Sequence, residues 1–473
     1  MSFELSPGVD RDRVFLVQWS ELEGRLDPTM ALYQRKIAGF KYKAKSFSDL
    51  LVFKPQYGAS EAGIDRKSHY EPRYIRITDI DEYGLLKNEI GKTAKVISPQ
   101  YYLNNNDLLF VRSGATVGKA YIHKGKEVRY PCFYAGYMIR FVVDKRKVDP
   151  NYVFSYTQLS TYRNWVFAIQ RAAGQPNINA AEYKALKIPV PPEEIQSQIV
   201  AKMDAAYVAK KQKEAEAQRL LDSIDDYLLG ELGIELPEEE ENTVESRVFI
   251  RRLSEVSGGR FDAPIHHKKY ILLTNKYPMA KFGDCVSINP FTSFSKFTSE
   301  TSATFIPMER VSDQYGEADA LDCRKLAEST GYTRFQNNDL IWAKITPCMQ
   351  NGKSAVVQEL SNGIGFGSTE FHVFRGKSQI DIRYIYGLLR LRSLRNYAVL
   401  YFSGSAGHQR VSGIFFRDLN IPKPPLEKQT QIANHITEIR NRAKRLQQEA
   451  KAGLEQAKRE VEAIILGEEV IKA

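Results

Sequence analysis

The sequence predicts an α+β chain: two homologous globular domains separated by two long antiparallel coiled-coil helices. Three observations predict it. The phrase LKIPVPPEEIQSQI (Leu186–Ile199) returns as LNIPKPPLEKQTQI (Leu419–Ile432), with Ile188 and Ile421, Gln196 and Gln429, and Ile199 and Ile432 each 233 residues apart. Both phrases open onto stretches with apolar residues in heptad spacing. Both are preceded by short aromatic-rich runs of β type. In a chain of 473 residues, an offset near half the length marks an internal duplication.

The echo extends further. GRLDP (Gly24–Pro28) returns as GRFDA (Gly259–Ala263), and YIRITDIDEYG (Tyr74–Gly84) as FIPMERVSDQYG (Phe305–Gly316). NNDLLFVRSGATVGKA (Asn105–Ala120) parallels NNDLIWAKITPCMQNGKS (Asn337–Ser354), and AGQPNIN (Ala173–Asn179) parallels AGHQRVS (Ala406–Ser412). The order is the same in both halves, so the chain is two copies of one unit of about 235 residues, joined head to tail.

Within each globular part, LLFVRS, YMIRFVV, DLIWAKI and FHVF read as strands. Asp381–Val399 reads as a helix with Ile382, Tyr386, Leu389 and Leu394 on one face. The Pro-x-Pro-Pro run stops that domain, because proline removes a donor and clashes with a preceding turn. Glu193, Glu194 and Glu427 then favour the positive end of a new helix. In the second copy a seam runs through Ile432, Ile436, Ile439, Ala443, Leu446, Ala450, Leu454, Ala457, Val461 and Ile464. The first copy has a weaker seam through Ile195, Ile199, Met203, Ala206, Ala217, Leu220, Ile224 and Leu228, interrupted around Lys210 and Lys213. Two matched stripes are expected to pack on each other, the alternative being that each packs onto its own globular domain. The resulting boundaries are 1–192, first globular domain; 193–233, first spacer helix; 234–246, acidic linker; 247–425, second globular domain; 426–467, second spacer helix.

Composition narrows the function. A formal net charge of +10 favours a polyanionic partner, nucleic acid first. The four cysteines (Cys132, Cys285, Cys323 and Cys348) are scattered and read as small apolar residues, not as a disulfide framework or zinc site. No apolar run reaches the roughly 18 residues of a membrane span, and the start lacks the order of a secretory signal, so the chain is read as cytoplasmic with no membrane partner. Catalytic motifs are missing. INPF (Ile288–Phe291) lacks the second proline of an amino-methyltransferase motif, GIGFG (Gly363–Gly367) does not fit a dinucleotide fingerprint, no phosphate-binding P-loop occurs, and His266-His267 lacks further ligands for a metal.

On NDLLFVRSGATVGKA and YKALKIPVPPEEIQSQIVAKMD in one half, and NDLIWAKITPCMQNGKSAV, GIGFGSTEFHVF and DLNIPKPPLEKQTQIA in the other, the chain resembles the specificity subunit of Type I restriction-modification enzymes. The resemblance covers nearly the whole length. It implies a non-catalytic DNA-recognition subunit in a host-defence system. Each globular part would be a target recognition domain reading one half of a bipartite, asymmetric double-stranded DNA site in the major groove. The paired helices would set half-site spacing and dock two modification (adenine-N6 methyltransferase) subunits, with up to two restriction (translocase and nuclease) subunits joining them. It implies no cofactor in this chain: S-adenosylmethionine belongs to the methyltransferase partner, ATP and Mg to the restriction partner. The alternative is a stand-alone DNA adenine methyltransferase or endonuclease, disfavoured by the missing motifs.

Phosphate contacts need cations, amides and hydroxyls, while base reading needs Arg on guanine and Asn or Gln on adenine. In the first half, Lys41, Lys43, Lys54, Arg73 and Arg76 mix cations with aromatics in loop-like settings. Arg112, Ser113, Thr116 and Lys119 lie in a two-glycine loop, and Gln175 and Asn177 precede the prolines. In the second half the corresponding set is Arg310, then Lys344, Thr346, Gln350, Asn351 and Lys353, then Ser368 and Thr369, and finally His408, Gln409 and Arg410. Cations, amides and glycines coincide repeatedly in these loops, which is the composition of a nucleic-acid interface.

Overall fold

The computed structural model describes residues 28–237 and 272–468, apart from 88–89, 126–127, 129, 171–174, 320–321 and 406, together with a few isolated positions. The repeat phrases at 24–27 and 259–263, most of the acidic linker, and His266-His267 lie outside the described residues. The chain divides into two compact units, Met1–Lys211 with Glu449–Ala473, and Gln212–Gln448. Among the described residues no helix is long and apolar enough to cross a membrane.

The strands of the first unit are β1 (Ala44–Ser46), β2 (Gln56–Tyr57), β3 (Ile64–Asp65), β4 (Arg73–Ile75), β5 (Lys92–Thr93), β6 (Leu108–Val111), β7 (Ala120–Ile122), β8 (Cys132–Tyr134), β9 (Met138–Phe141) and β10 (Lys187–Pro189). One sheet has the order β2–β9–β6–β7 and the other β3–β5–β4–β8, while β1 pairs with β10. The helices are α1 (Pro28–Ala38), α2 (Pro150–Thr157), α3 (Ser160–Ile169), α4 (Ala180–Ala185) and α5 (Glu193–Leu232), the last continuing into the second unit. β6 shows why an unbroken apolar run forms here. Leu108 and Phe110 enter one core with Ile139, Phe141, Tyr162 and Trp165, while Leu109 and Val111 enter another with Tyr74, Phe133 and Met138. A strand buried on both faces shows no polar alternation.

The second unit repeats this plan. Its strands are β11 (Met279–Lys281), β12 (Val286–Ile288), β13 (Ser302–Ile306), β14 (Cys323–Lys325), β15 (Thr333–Gln336), β16 (Asp339–Ala343), β17 (Ser354–Val356), β18 (Ile364–Gly367), β19 (Phe371–Gly376), β20 (Phe402–Ser403), β21 (Arg410–Val411) and β22 (Asn420–Pro422). The sheets are β12–β19–β16–β17 and β14–β13–β18–β15, with β11 on β22 and β20 on β21. A parallel pair recurs in both units, β4 with β8 and β13 with β18. The helices are α6 (Phe282–Cys285), α7 (Ile382–Arg390), α8 (Arg392–Val399), α9 (Gly413–Asp418) and α10 (Leu426–Leu466), whose last part belongs to the first unit. The single helix expected over 381–399 breaks at Leu391, whose φ of −50° and ψ of 128° are not helical.

The repeated phrases have structural tasks. Asn106 and Asn338 take positive φ values of 74° and 65°, a conformation Asn tolerates. The following aspartates are buried. Asp339 Oδ2 accepts the Gln336 amide at 2.9 Å, and Arg375 grips the carboxylate through Nε at 2.7 Å and Nη2 at 2.8 Å. In the first unit Asp107 accepts the Asn104 amide at 2.8 Å and faces Arg140 at 3.7 Å. The proline phrase is pinned similarly in both units. The Tyr152 hydroxyl donates to the Pro189 carbonyl at 2.7 Å, and the Tyr384 hydroxyl to that of Pro422 at 2.8 Å. Gln196 accepts the Asp149 amide and donates to the Pro191 carbonyl, both at 2.8 Å. Gln429 accepts the Asp381 amide at 3.1 Å and donates to the carbonyls of Pro424 and Gln379 at 2.9 and 3.2 Å. Each glutamine therefore ties the start of a long helix to the N-cap of a domain helix. Gln429 is fully buried, so Gln429→Ala is expected to cost about 2–4 kcal/mol by orphaning those groups. Urea unfolding followed at Trp342 measures it.

The seam residues divide between the units. In the first, Ile199, Met203, Leu454, Val461 and Ile464 are buried in the same core as Phe110 and Trp165, with Ile195 packed against it. In the second, Ile224, Leu228, Ile432 and Ile436 share a core with Tyr384 and Leu388, with Ile439 at its edge. The helices run antiparallel within each unit. Lys202 pairs with Glu460 in the first, and in the second Glu231 pairs with Lys428 at 2.6 Å and Glu216 with Arg442 at 2.8 Å. The stripes thus serve two purposes: they face the opposite helix and they complete the domain cores. Leu220 and Leu446 are only half-buried. The interruption at Lys210 has a cause the sequence did not reveal: its ammonium lies 4.0 Å from the centre of the Tyr83 ring, so the lysine is buried as a cation–π partner.

Burial also sets a pH dependence. His123 is 4% exposed, and burial pushes its pKa down from 6.5 to about 4. A depressed histidine stabilises the fold fully above its unfolded value and loses that contribution as pH falls toward the folded one. The first unit is therefore expected to lose about 3 kcal/mol between roughly pH 6.5 and 4, because each pH step of one across that window is worth about 1.36 kcal/mol. Urea midpoints followed at Trp165 across this range check it, and His123→Phe should flatten the decline.

Candidate nucleic-acid interface

The loop after β6 and the segment before α4 meet in the first unit. The Arg112 amide donates to the Tyr137 carbonyl at 2.9 Å, the Ile178 amide to the Arg112 carbonyl at 2.8 Å, and the Gly114 amide to the Pro176 carbonyl at 3.1 Å. Ser113 and Asn177 form a bridge. Gly114 has a φ of 89° with open space where a Cβ would stand, which suits close approach of a ligand. Arg112, Ser113, Gln175 and Asn177, with Arg76, line a cleft of about 810 Å³ that also receives Glu61, Thr78 and Tyr137. The Arg112 guanidinium lies 5.0 Å from the centre of the Tyr57 ring, while Tyr137 is 66% exposed.

The second unit builds the same frame. The Lys344 amide donates to the Glu370 carbonyl at 2.9 Å, the Val411 amide to the Lys344 carbonyl at 3.0 Å, and the Thr346 amide to the Gln409 carbonyl at 3.0 Å. Ile345 bridges to Arg410. Arg410 holds Glu370 through Nε at 2.9 Å and Nη2 at 2.7 Å, and its Nη1 donates to the His408 carbonyl at 2.7 Å. The Arg410 bond keeps the Glu370 pKa below its ordinary value. Thr346 bonds to Gln350, and Thr369 and His408 are exposed nearby in the chain. The Ser368 hydroxyl accepts the Glu370 amide at 3.2 Å.

Other expected residues are placed differently. Arg73 is 1% exposed and bonds to the Tyr130 hydroxyl and the Lys87 carbonyl, both at 3.0 Å; it is an interior strut and cannot meet a polyanion. The Lys41 amide donates to the Ile465 carbonyl at the end of α10, and the Lys43 carbonyl accepts the Val190 amide of the proline phrase, so neither lines the cleft. Lys54 is exposed at the approach to β2. Arg310 pairs with Asp319 at 2.9 Å in a hollow of about 620 Å³ of mixed charge, which also holds Glu309, Asp313, Glu317, Lys353 and Lys444, so its guanidinium is already engaged. Thr116 and Asn351 are exposed turn residues.

The family defined by the Type I restriction modification DNA specificity domain matches residues 60–219 and 275–456. The chain belongs to this family. Both matched segments contain the frame just described, so the specificity domain is present twice. The specificity subunit of Type I restriction enzyme EcoAI of Escherichia coli is 36% identical over 181 residues, 38% of this chain and 30% of that protein. The EcoEI specificity subunit of Escherichia coli is 32% identical over 186 residues, 38% of this chain and 31% of that protein. The matched region thus spans about a third of these curated relatives. A structure titled for complex assembly and conformational transition of the type I R-M system covers 90% of this chain and 97% of its own, with a TM-score of 0.51 at 14% identity, a likeness of fold.

Within the specificity domains, the two Gly-Lys loops carry a task the sequence did not reveal. Lys119 Nζ donates to the Ile80 carbonyl and Lys353 Nζ to the Met308 carbonyl, both at 3.1 Å. Burial pushes the Lys119 pKa down. Each ammonium braces the turn after the parallel strand, instead of extending toward a phosphate as the loop composition suggested. Lys119→Ala is expected to lower stability by about 1–2 kcal/mol while leaving the salt slope of DNA binding intact, since a lost phosphate contact would flatten it by about 0.9. Binding titrations at several salt concentrations separate the two. The loop composition does not single out Tyr137 or Glu370. Tyr137 and Glu370 stand 233 residues apart and were detectable by the repeat offset.

Proposed function

We propose that this chain is the DNA-recognition subunit of a Type I restriction-modification complex. Each unit reads one half of a bipartite, asymmetric site in the major groove. The paired helices set the distance between half-sites and dock two modification subunits, to which up to two restriction subunits are added. The chain itself performs no chemistry. The methyltransferase partner brings S-adenosylmethionine, and the restriction partner ATP and Mg. One observation carries the reading: the same three backbone hydrogen bonds frame both loops, yet the side chains they present differ. One frame with two side-chain sets suits two different half-sites on one duplex. The length of α5 and α10, at 40 and 41 residues about 60 Å each, suits a spacer.

The test combines the full chain with its modification subunits and a duplex carrying the site methylated in the source cell. Scrambling either half alone should lower affinity by at least about 30-fold, the loss of two or more base contacts at roughly 1–3 kcal/mol each. Equal binding to scrambled duplexes would overturn the reading, as would methyl transfer by this chain without its partners.

A further inference from the structure

The shared frame lets the units be compared position by position. Arg112 stands where Lys344 does, Tyr137 where Glu370 does, and Asn177 where Arg410 does, since each trio makes the same backbone bonds or bridge. The second unit thus places a carboxylate at its candidate reading surface. Arg410 compensates the carboxylate inside the protein, and the remaining lone pairs of Glu370 suit a donor on the nucleic acid and not a phosphate. In the major groove those donors are the exocyclic amines of cytosine and adenine. The neighbouring guanidinium decides between them. Arg410 spends Nε, one Nη2 proton and one Nη1 proton on Glu370 and the His408 carbonyl. Of its five N–H groups, one on each Nη makes no contact among the described residues, and arginine donors of this kind pair with guanine O6 and N7. Side-chain exposures of 41% for Arg410 and 23% for Glu370 leave both accessible at their edges.

Resting on the reading above, we infer that Arg410 and Glu370 act together as a reader of one G·C base pair in the half-site of the second unit, Arg410 on guanine and Glu370 on the N4 amine of the paired cytosine. The ion pair pre-sets the guanidinium plane before DNA arrives, so ordering it adds little at binding. In the first unit Asn177 occupies the Arg410 position with Gln175 two residues before it. Amides suit adenine, so the two half-sites differ at the equivalent base pair.

The experiment uses the full chain with its modification subunits and a set of duplexes, each with one base pair of the methylated site replaced. Wild type should penalise replacement of one G·C pair by about 5- to 100-fold, the range of a good bidentate contact. Glu370→Gln, which keeps the shape and a bond to Arg410, should relax discrimination at that pair alone and raise acceptance of A·T there. Arg410→Lys should lose most of the discrimination at the same pair, with other positions unchanged. The inference is overturned if either variant keeps the wild-type profile, or loses affinity equally for every duplex, the mark of a structural or phosphate role. If wild type shows no discrimination anywhere, the proposed function itself fails, a distinct outcome.

Discussion

Arg375→Ala is expected to destabilise the second unit by about 3–5 kcal/mol, the cost of leaving a buried carboxylate without its cation. Asp339 is fully buried at the start of the central strand β16, and two of its hydrogen bonds come from Arg375. Removing the arginine leaves the Gln336 amide as its described donor. The reverse change, Asp339→Asn, should cost less, because Arg375 keeps 27% of its side chain in solvent and can be hydrated there. The first unit supplies a contrast. Arg140 stands 3.7 Å from Asp107, and burial raises the Asp107 pKa, so that pair is weaker and Arg140→Ala should cost less than half as much. Urea unfolding reads both, with Trp165 reporting the first unit and Trp342 the second. With an m-value of about 1–3 kcal/mol/M, the Arg375 change moves the midpoint by more than about 1 M. A midpoint shared with wild type would show that the pair is dispensable.

The second large effect concerns the long helices. Seven residues added after Lys211 in α5 and after Gln448 in α10 keep the heptad phase and lengthen each helix by about 10 Å. If the helices set half-site spacing, the native site should lose at least about tenfold in methylation, and a site with one to three extra base pairs should replace it. About 10 Å equals three base-pair steps of 3.4 Å, but three steps also rotate the groove by about 100°, so the shift lies at or below that number. Methylation of duplexes with graded gaps reads the outcome directly. An unaltered preferred gap would remove the spacer role while leaving the two readers in place.

Much of the candidate site was legible for a particular reason. Arg112, Ser113, Gln175 and Asn177, and likewise Lys344, Thr346, Gln409 and Arg410, sit in loops that combine glycine, amide and cation, and the repeat offset pairs them. What misled was treating every such cation as outward. Lys119, Lys353 and Arg73 have the same sequence surroundings as a phosphate contact, yet interior carbonyls and a tyrosine hydroxyl hold them. Glu370 was passed over for the opposite reason. Its sign argues against a polyanion, and only the fold shows the carboxylate held by Arg410 beside the loop.

By itself the sequence determined the duplication, the positions of four buried strands (β6, β9, β16 and β19), the long helices and their heptad phase. These follow from periodicity, which records burial along one segment and needs no knowledge of what lies opposite. Tertiary structure alone decided which polar side chains turn inward, where the stripes of α5 and α10 join the domain cores, and which loops share a surface. Those outcomes depend on hydrogen-bond partners distant in the chain, and desolvation commits a cation to an interior carbonyl or to solvent only once the fold has brought the two together.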